Sequence, residues 1–328
     1  MTKPHFLITI DTEGDHLWSR PREITTANSA YLERFQELCE RHGFKPVYLT
    51  NYEMALCPVF HRFVMPRLKR GTAELGMHLH AWNSPPLVPL TADDMSEQPL
   101  LIAYPEPVLR EKVAVMTRLL RERFETPVVS HRAGRWGFDG VYAKALLEQG
   151  YTVDCSVTPL IDWAERLGVP GAPHWPDYSR CPHEAYFVDL ADIRRPGRSA
   201  LLEAPMTILP LDTPLVRSLR PVAGRHGARV LNRFYPAAEW LRPTGRNLNE
   251  MLRVLERARR RAMEQGRAGY AEFMLHSSEF MPGGSPAFPD EASIERLYAH
   301  LEKLFRAAAR HFQGATLAEY RAAHGAAG

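Results

Sequence analysis

Phe6-Leu7-Ile8-Thr9-Ile10 runs directly into Asp11-Thr12-Glu13-Gly14-Asp15. A continuous apolar run of this kind reads as a strand buried on both faces of a parallel sheet. Parallel α/β folds carry their chemistry at the C-terminal ends of such strands. Three carboxylates crowded there would repel one another in a low-dielectric pocket, unless a cation or an arginine sits among them. The competing reading is a strand followed by an ordinary capping turn, since Asp and Gly are common turn residues.

Outward from this junction, strand and helix patterns alternate. Helical spacing over Asn28 to Arg41 stops at His42-Gly43 and is followed by a strand at Pro46 to Thr50. A helix over Val59 to Leu68 precedes a short strand at Glu74 to His80. A long helix over Pro105 to Phe124 precedes a fourth strand at Pro127 to Ser130. A helix around Val141 to Leu147 leads to a fifth strand, Tyr151 to Val157. The pattern breaks from Leu160 to about Ala200, where proline, glycine, tryptophan and histidine are dense. Leu201 to Ile208 reads as a sixth strand, followed by a second irregular stretch to Arg246. A helix over Leu248 to Gln265, a seventh strand at Phe273 to His276 and a helix over Ile294 to Phe312 complete the pattern. With no break in composition, this predicts one parallel-sheet domain over 1–328, with irregular cap insertions at about 160–200 and 214–246.

Apolar content of 45% and charged content of 24% are those of an ordinary soluble globular chain. A net charge of +3 over 328 residues is too weak to argue for a nucleic-acid partner. The run Arg257 to Arg261 lies in an amphipathic helix pattern and reads as a solvated face. No apolar run approaches the roughly 18 residues of a membrane span. Cys39, Cys57, Cys155 and Cys181 lack paired metal spacing and read as reduced thiols. With no signal-peptide pattern, the expectation is a cytoplasmic protein.

Three further strand ends carry polar side chains. His78 and His80 are two apart, so on a strand both face the same way. With a carboxylate from a neighbouring strand they make a common first shell for zinc or a similar divalent ion. Ser130-His131-Arg132-Ala133-Gly134-Arg135-Trp136-Gly137 brings an arginine into a glycine-containing turn, where it could hold a carboxylate ionised or simply form a surface turn. Leu275-His276-Ser277-Ser278-Glu279 places a histidine where it could protonate a leaving group, or only cap a strand.

The order of these motifs resembles the polysaccharide deacetylase family, the carbohydrate esterases with a NodB homology domain, of which this would be an atypical member. The resemblance covers most of the chain, to Thr316-Leu317-Ala318-Glu319. It implies a distorted (β/α) barrel with about seven parallel strands. Asp11 matches the family's aspartate base. The acidic metal ligand is displaced to Glu13, with Asp15 a further candidate. Glu74-Leu75-Gly76-Met77-His78 matches the lead-in to the histidine motif. Trp82 stands where the second histidine is expected, so His80 takes that part. Arg132 through Trp136 matches the arginine motif, with Ala133-Gly134 replacing the usual prolines. Asp162-Trp163 corresponds to the fourth motif, Asp154 to Pro159 to the strand before it, and Leu275-His276 to the fifth.

The resemblance therefore implies a metal-dependent hydrolase that removes acetyl groups from an N- or O-acetylated sugar. Its divalent metal, zinc first with cobalt, nickel or manganese as alternatives, would be held by Glu13, His78 and His80. Asp11 would be the base, Arg132 its partner and His276 the acid, with a backbone N–H near Arg135 or Trp136 facing the oxyanion. Arg135, Trp136 and Trp163 are candidate substrate contacts. A cytoplasmic intermediate of polysaccharide or lipopolysaccharide assembly fits the expected location. Arg217, Arg220, Arg225, Arg233, Tyr235 and Trp240 in the second cap are candidate contacts for a phosphate-bearing sugar. The competing readings are a hydrolase of non-sugar amides on the same barrel, an inactive glycan-binding homologue and, more weakly, a two-carboxylate glycosidase. The substrate and the oligomeric state are not set by the sequence.

Overall fold

The computed structural model describes residues 3–167, 174–219, 235–266 and 269–325, with positions 222, 227, 230 and 231 between them. Its strands are β1 (His5–Thr12), β2 (Pro46–Thr50), β3 (Glu74–Leu79), β4 (Ser130–Ala133), β5 (Val153–Asp154), β6 (Tyr186–Asp189), β7 (Asp192–Pro196), β8 (Leu202–Glu203), β9 (Ile208–Leu209), β10 (Glu239–Trp240), β11 (Tyr270–His276) and β12 (Gln313–Gly314). Seven of them lie parallel in the order β11-β1-β2-β3-β4-β5-β8. The sheet curls into a distorted half-barrel, as the alternation of elements predicts. Among the described residues no ladder joins β8 to β11. Individual bonds span that gap, among them Glu272 N–H to Thr207 Oγ1 at 2.8 Å and Tyr270 O–H to the Pro205 carbonyl at 2.7 Å.

The side-chain period of two sorts this sheet into an outer and an inner face. Phe6, Ile8 and Ile10 of β1 join Leu75 and Met77 of β3 and Phe273 and Leu275 of β11 in the core beneath the surrounding helices. Those helices include Leu32–Arg41, Pro58–Arg70, Glu106–Phe124, Gly140–Glu148, Leu248–Gln265 and Glu291–His311. Their ends follow ordinary capping chemistry. Asp139 accepts the Tyr142 N–H at 2.8 Å, and Gly71 ends its helix at φ 66°.

The inner face is layered along the barrel axis. Leu7, Val47, Leu49, Val153, Cys155 and Leu202 form an apolar floor, closed from below by Leu317 and Tyr320 of the helix Leu317–Gly325. Above it lies a polar layer of Thr9, Arg132 and Glu272, all fully buried. Asp11, Glu13, His78, His80 and His276 form the top, where the strands end. The pairing of β1 with β11 sets Asp11 opposite His276, and that of β3 with β4 sets His78 opposite Arg132.

Several expectations differ from the structure: the fifth strand is only Val153–Asp154, and the stretch 214–246 contains the helix Pro214–Leu219 and β10. The stretch 160–200 is not wholly irregular. It contains the antiparallel hairpin β6–β7, whose first strand extends the sheet beside β8. The expected strand Leu201 to Ile208 is broken in two around Pro205, which has no N–H to continue a ladder. Its second piece, β9, pairs antiparallel with β10 instead. The fourth strand begins later than expected, at Ser130, and so carries Arg132 within the ladder.

Candidate metal and catalytic site

At the top of the barrel, Glu13 Oε2 lies 2.8 Å from His80 Nε2 and 3.6 Å from His78 Nε2, with all three residues buried. Their ligand atoms all fall within 4.8 Å of one another. A tetrahedral site with bonds of about 2.1 Å has ligand–ligand edges of about 3.4 Å, so the spacing suits a divalent ion. The proton positions suit one too. His78 Nδ1 lies 2.9 Å from the Arg132 carbonyl, which places a proton on Nδ1 and makes Nε2, facing Glu13, the nitrogen that would bind an ion. His80 Nδ1 is buried with no hydrogen-bond partner among the described residues. Gly134 explains how His80 fits, because a Cβ there would sit 2.4 Å from the Leu79 carbonyl and 2.8 Å from His80 Nδ1.

Electrostatics divides the labour among these groups. Burial pushes Glu13 upward, but His276 and hydrogen bonds with His78 and His80 outweigh it and hold the carboxylate well below its usual range. Burial dominates at His80 and lowers it to about 4, so it is neutral at pH 7. For His78, Asp11 and Glu13 overcome burial and raise the imidazole above its ordinary value. Backbone bonds steady Glu13: its N–H donates to Ser277 Oγ at 3.1 Å, and its carbonyl accepts from Asn28 Nδ2 at 2.9 Å.

Asp15 is turned away from this cluster. Its carboxylate accepts from Thr25 Oγ1, the N–H groups of Ala27 and Asn28, and Asn28 Nδ2, all between 2.6 and 2.9 Å. It pins the loop after β1, and geometry leaves Glu13 as the acid that faces the histidines.

Asp11 sits beside the Glu13-His78-His80 cluster. Arg132 Nη1 donates to its Oδ1 at 2.6 Å, while Nη2 reaches Glu272 Oε1 at 2.5 Å and Thr9 Oγ1 at 2.8 Å. Burial raises Asp11, but the Arg132 guanidinium, with His78 and His276 beyond it, brings the carboxyl below its ordinary value. Asp11 is therefore ionised at neutral pH, with Oδ2 directed to His276 Nε2 at 3.7 Å. His276 is backed in turn. Its Nδ1 lies 3.1 Å from both Glu279 Oε2 and Arg242 Nη2, and its backbone N–H donates to Glu279 at 2.9 Å. Sequence reasoning missed Glu279, Arg242 and Glu272. It also missed Lys112, whose buried Nζ donates to the Ala81, Ser84 and Pro86 carbonyls and anchors the loop after His80. The i, i+3 spacing of Glu279 from His276 on a turn was the available signal for the first.

Asp11, Glu13, His78, His80, Arg242 and His276 open into a cavity of about 240 Å³. Its wall is aromatic. Trp136 and Trp163 stack with ring centroids 6.1 Å apart and planes 11° from parallel, and Trp240 packs edge-on behind both. Arg135 and Trp136 both adopt left-handed backbone, φ 56° and 62°. Each such residue costs about 1–2 kcal/mol when it is not glycine. Eight of the nine sequence-derived site residues line the cavity, and Arg132 lies directly beneath it.

Other expected positions fall elsewhere. Asp162 caps the turn Trp163–Arg166 through the Ala164 N–H, and Asp154 binds His131 on the outer face of the sheet. Arg217 pairs with Asp212 away from the cavity, whereas Arg220, Arg225 and Arg233 lie outside the described residues. In the Arg257 to Arg261 run, Arg259 and Arg260 pair with Glu256 of their own helix, but Arg257 donates to the Pro210, Leu211 and Asp212 carbonyls and Arg261 pairs with Glu184, so the run is only in part the solvated face expected.

The whole architecture overlays on known structures. A candidate polysaccharide deacetylase from Mycobacterium smegmatis matches with a TM-score of 0.55 at 12% identity, over 99% of this chain and 91% of that one. The fold is that of the polysaccharide deacetylases. A 4-alpha-glucanotransferase from Thermococcus litoralis also matches, with a TM-score of 0.53 at 12% identity, over 98% of this chain but only 40% of its own. A peptidoglycan deacetylase from Bacillus subtilis overlays more loosely, with a TM-score of 0.43 at 8% identity over 99% and 93% of the two chains. No protein-family model and no curated protein matches the sequence. The deacetylase fold thus reaches this chain through architecture, and one such fold hosts different chemistries. The function has to be argued from the site.

Proposed function

We propose that the protein is a metal-dependent hydrolase that removes acetyl groups from an N- or O-acetylated sugar. The observation that carries this reading is the meeting, at one cavity floor, of an arginine-paired aspartate, a Glu-His-His cluster and a glutamate-backed histidine. A divalent ion held by Glu13, His78 and His80, zinc by the chemistry of the donors, would polarise the acyl carbonyl and acidify a water. Asp11, kept ionised by Arg132, takes a proton from the attacking water through Oδ2. His276, oriented by Glu279, delivers a proton to the departing amine or alkoxide. A backbone N–H of Arg135 or Trp136 would face the developing oxyanion, and the tryptophan wall would receive the acetyl methyl.

An inactive glycan binder has no use for a base held ionised by a buried arginine, so the Asp11–Arg132 pair favours an enzyme. We take the substrate to be a cytoplasmic sugar intermediate of polysaccharide or lipopolysaccharide assembly, acted on by a single barrel domain. All four cysteines are free and buried, in keeping with a reducing compartment. No helix among the described residues is long and apolar enough to cross a membrane. The test is metal content of the purified protein, then acetate release from a panel of acetylated sugars by chelated protein resupplied with zinc, cobalt, nickel or manganese. Bound metal with metal-restored acetate release supports the reading. Acetate release indifferent to chelation, or no metal bound at all, overturns it.

A further inference from the structure

The cavity lining sets Arg20, Arg135 and Arg242 beside the carboxylates of Asp11 and Glu13. Neither Arg135 nor Arg20 has a hydrogen bond or ion pair to an acid among the described residues, in contrast to Arg132 and Arg242. Burial lowers Arg135 from its ordinary value, against the pull of Glu13 and with a smaller effect of Arg20 in the same direction. A divalent ion on the Glu13 cluster would add further positive charge. Both arginines also hold left-handed backbone, φ 56° at Arg135 and 52° at Arg20. Non-glycine residues keep such conformations where the surrounding structure imposes them, and they gather at ligand sites.

A second cavity, of about 590 Å³, begins where the first ends, and the two share Arg20 and Met95. Trp82 forms part of its wall. The Arg135 guanidinium carbon lies 5.7 Å from the centre of the Trp82 ring, and the indole N–H of Trp82 is buried with no partner among the described residues. The Arg135 fork at the wall of the first cavity, the Arg20 fork shared by both and the Trp82 ring therefore adjoin where the cavities meet. Arginine forks match the paired oxygens of carboxylate and phosphate groups.

We infer that the substrate is an anionic sugar, whose carboxylate or phosphate is bound between Arg20 and Arg135 while its acetyl group sits on the Asp11 side and the rest of the molecule runs past Trp82. This deepens the deacetylase reading and rests on it for the direction of the substrate, but the anion site stands on its own residues.

The experiment compares N-acetylglucosamine with its 1-phosphate and 6-phosphate and with N-acetylmuramic acid, which carries a carboxylate. Acetate release is measured on metal-loaded protein at fixed ionic strength, and binding of the same sugars and of inorganic phosphate by calorimetry. At least one anionic sugar should exceed the neutral one by tenfold or more in kcat/KM. Arg20→Gln and Arg135→Gln should each erase most of that preference through KM, and Arg135→Lys should retain part of it. Preference for the 1- or 6-phosphate identifies phosphate as the recognised group, and preference for the muramic acid identifies carboxylate. Equal rates on neutral and anionic sugars, or a preference untouched by both Gln variants, overturn the anion site and leave the deacetylase reading standing. Binding of a sugar phosphate that the Gln variants weaken, without acetate release from any sugar, supports the anion site and overturns the deacetylase reading.

Discussion

Replacing Arg132 with leucine probes the charge arrangement beneath the cavity. The guanidinium holds Asp11 at 2.6 Å and Glu272 at 2.5 Å, with all three groups buried. Deleting one partner of a buried ion pair costs about 3–5 kcal/mol, because the remaining charge has no compensation. For 328 residues at about 2.1 cal/mol/K of unfolding entropy each, that corresponds to a fall in Tm of about 4–7 °C. Glu272 makes the loss depend on pH. Burial, only partly offset by Arg132, raises its carboxyl to about 7. A carboxyl raised on folding holds its proton more tightly in the folded state. Its contribution is therefore complete below the ordinary carboxylate range and is lost as pH rises to about 7. Without Arg132 the carboxyl rises further, so the penalty of Arg132→Leu should be larger at pH 8 than at pH 5.5. Adding Glu272→Leu removes one of the two orphaned carboxylates and should restore at least about 1 kcal/mol at pH 8, a coupling of ordinary size for touching residues. Thermal unfolding of the wild type, both single variants and the double variant at the two pH values is the assay. Equal penalties at both pH values with strictly additive effects would refute the argument.

Glu13→Ala should lower zinc affinity at least about 10-fold, since even indirect support of a ligand is worth that much. Metal titration checks it, and an unchanged affinity would return the role of acidic ligand to Asp15 or Asp11. Asp15→Ala should leave metal affinity alone but cost roughly 2–3 kcal/mol, because it strands buried donors around Asn28; denaturant unfolding measures the loss. Asp11→Asn and His276→Ala should each lower kcat at least about 10²-fold with metal content intact. Full acetate release by either variant would remove that residue from the mechanism.

The inner face of the barrel was legible wherever a strand ended in polar residues at alternate positions. Asp11 and Glu13, like His78 and His80, lie two apart, and the period of a strand sends each pair to one side. The supporting residues were not legible, because their partners are remote in sequence. Glu272 meets Arg132 across 140 positions, and Arg242 meets His276 across 34. Pro205 hid the break between β8 and β9 inside an otherwise strand-like run, although a proline in a central strand is itself a warning. The hairpin β6–β7 was masked by the proline and glycine around it, yet Tyr186-Phe187-Val188 carries the apolar, β-branched character of a strand. Of the two arginines at the cavity junction, Arg135 was legible as a candidate substrate contact, whereas Arg20 was not, since nothing in a linear sequence separates a solvated guanidinium from one that lines a cavity.

The ladder between β1 and β11 has a consequence for how the molecule is made. Glu13 and Ser277 bond to each other across 264 residues of chain. During synthesis β1 therefore emerges long before the strand that covers one of its edges. A largely apolar strand edge left open for that interval is the kind of surface that pairs wrongly with other chains. Asp11 meets His276 only when β11 arrives, and a slip of one residue in that register would turn His276 to the helix side. Asp11 and His276 are thus among the last groups to be brought together, and the activity proposed for them would report completion of the barrel.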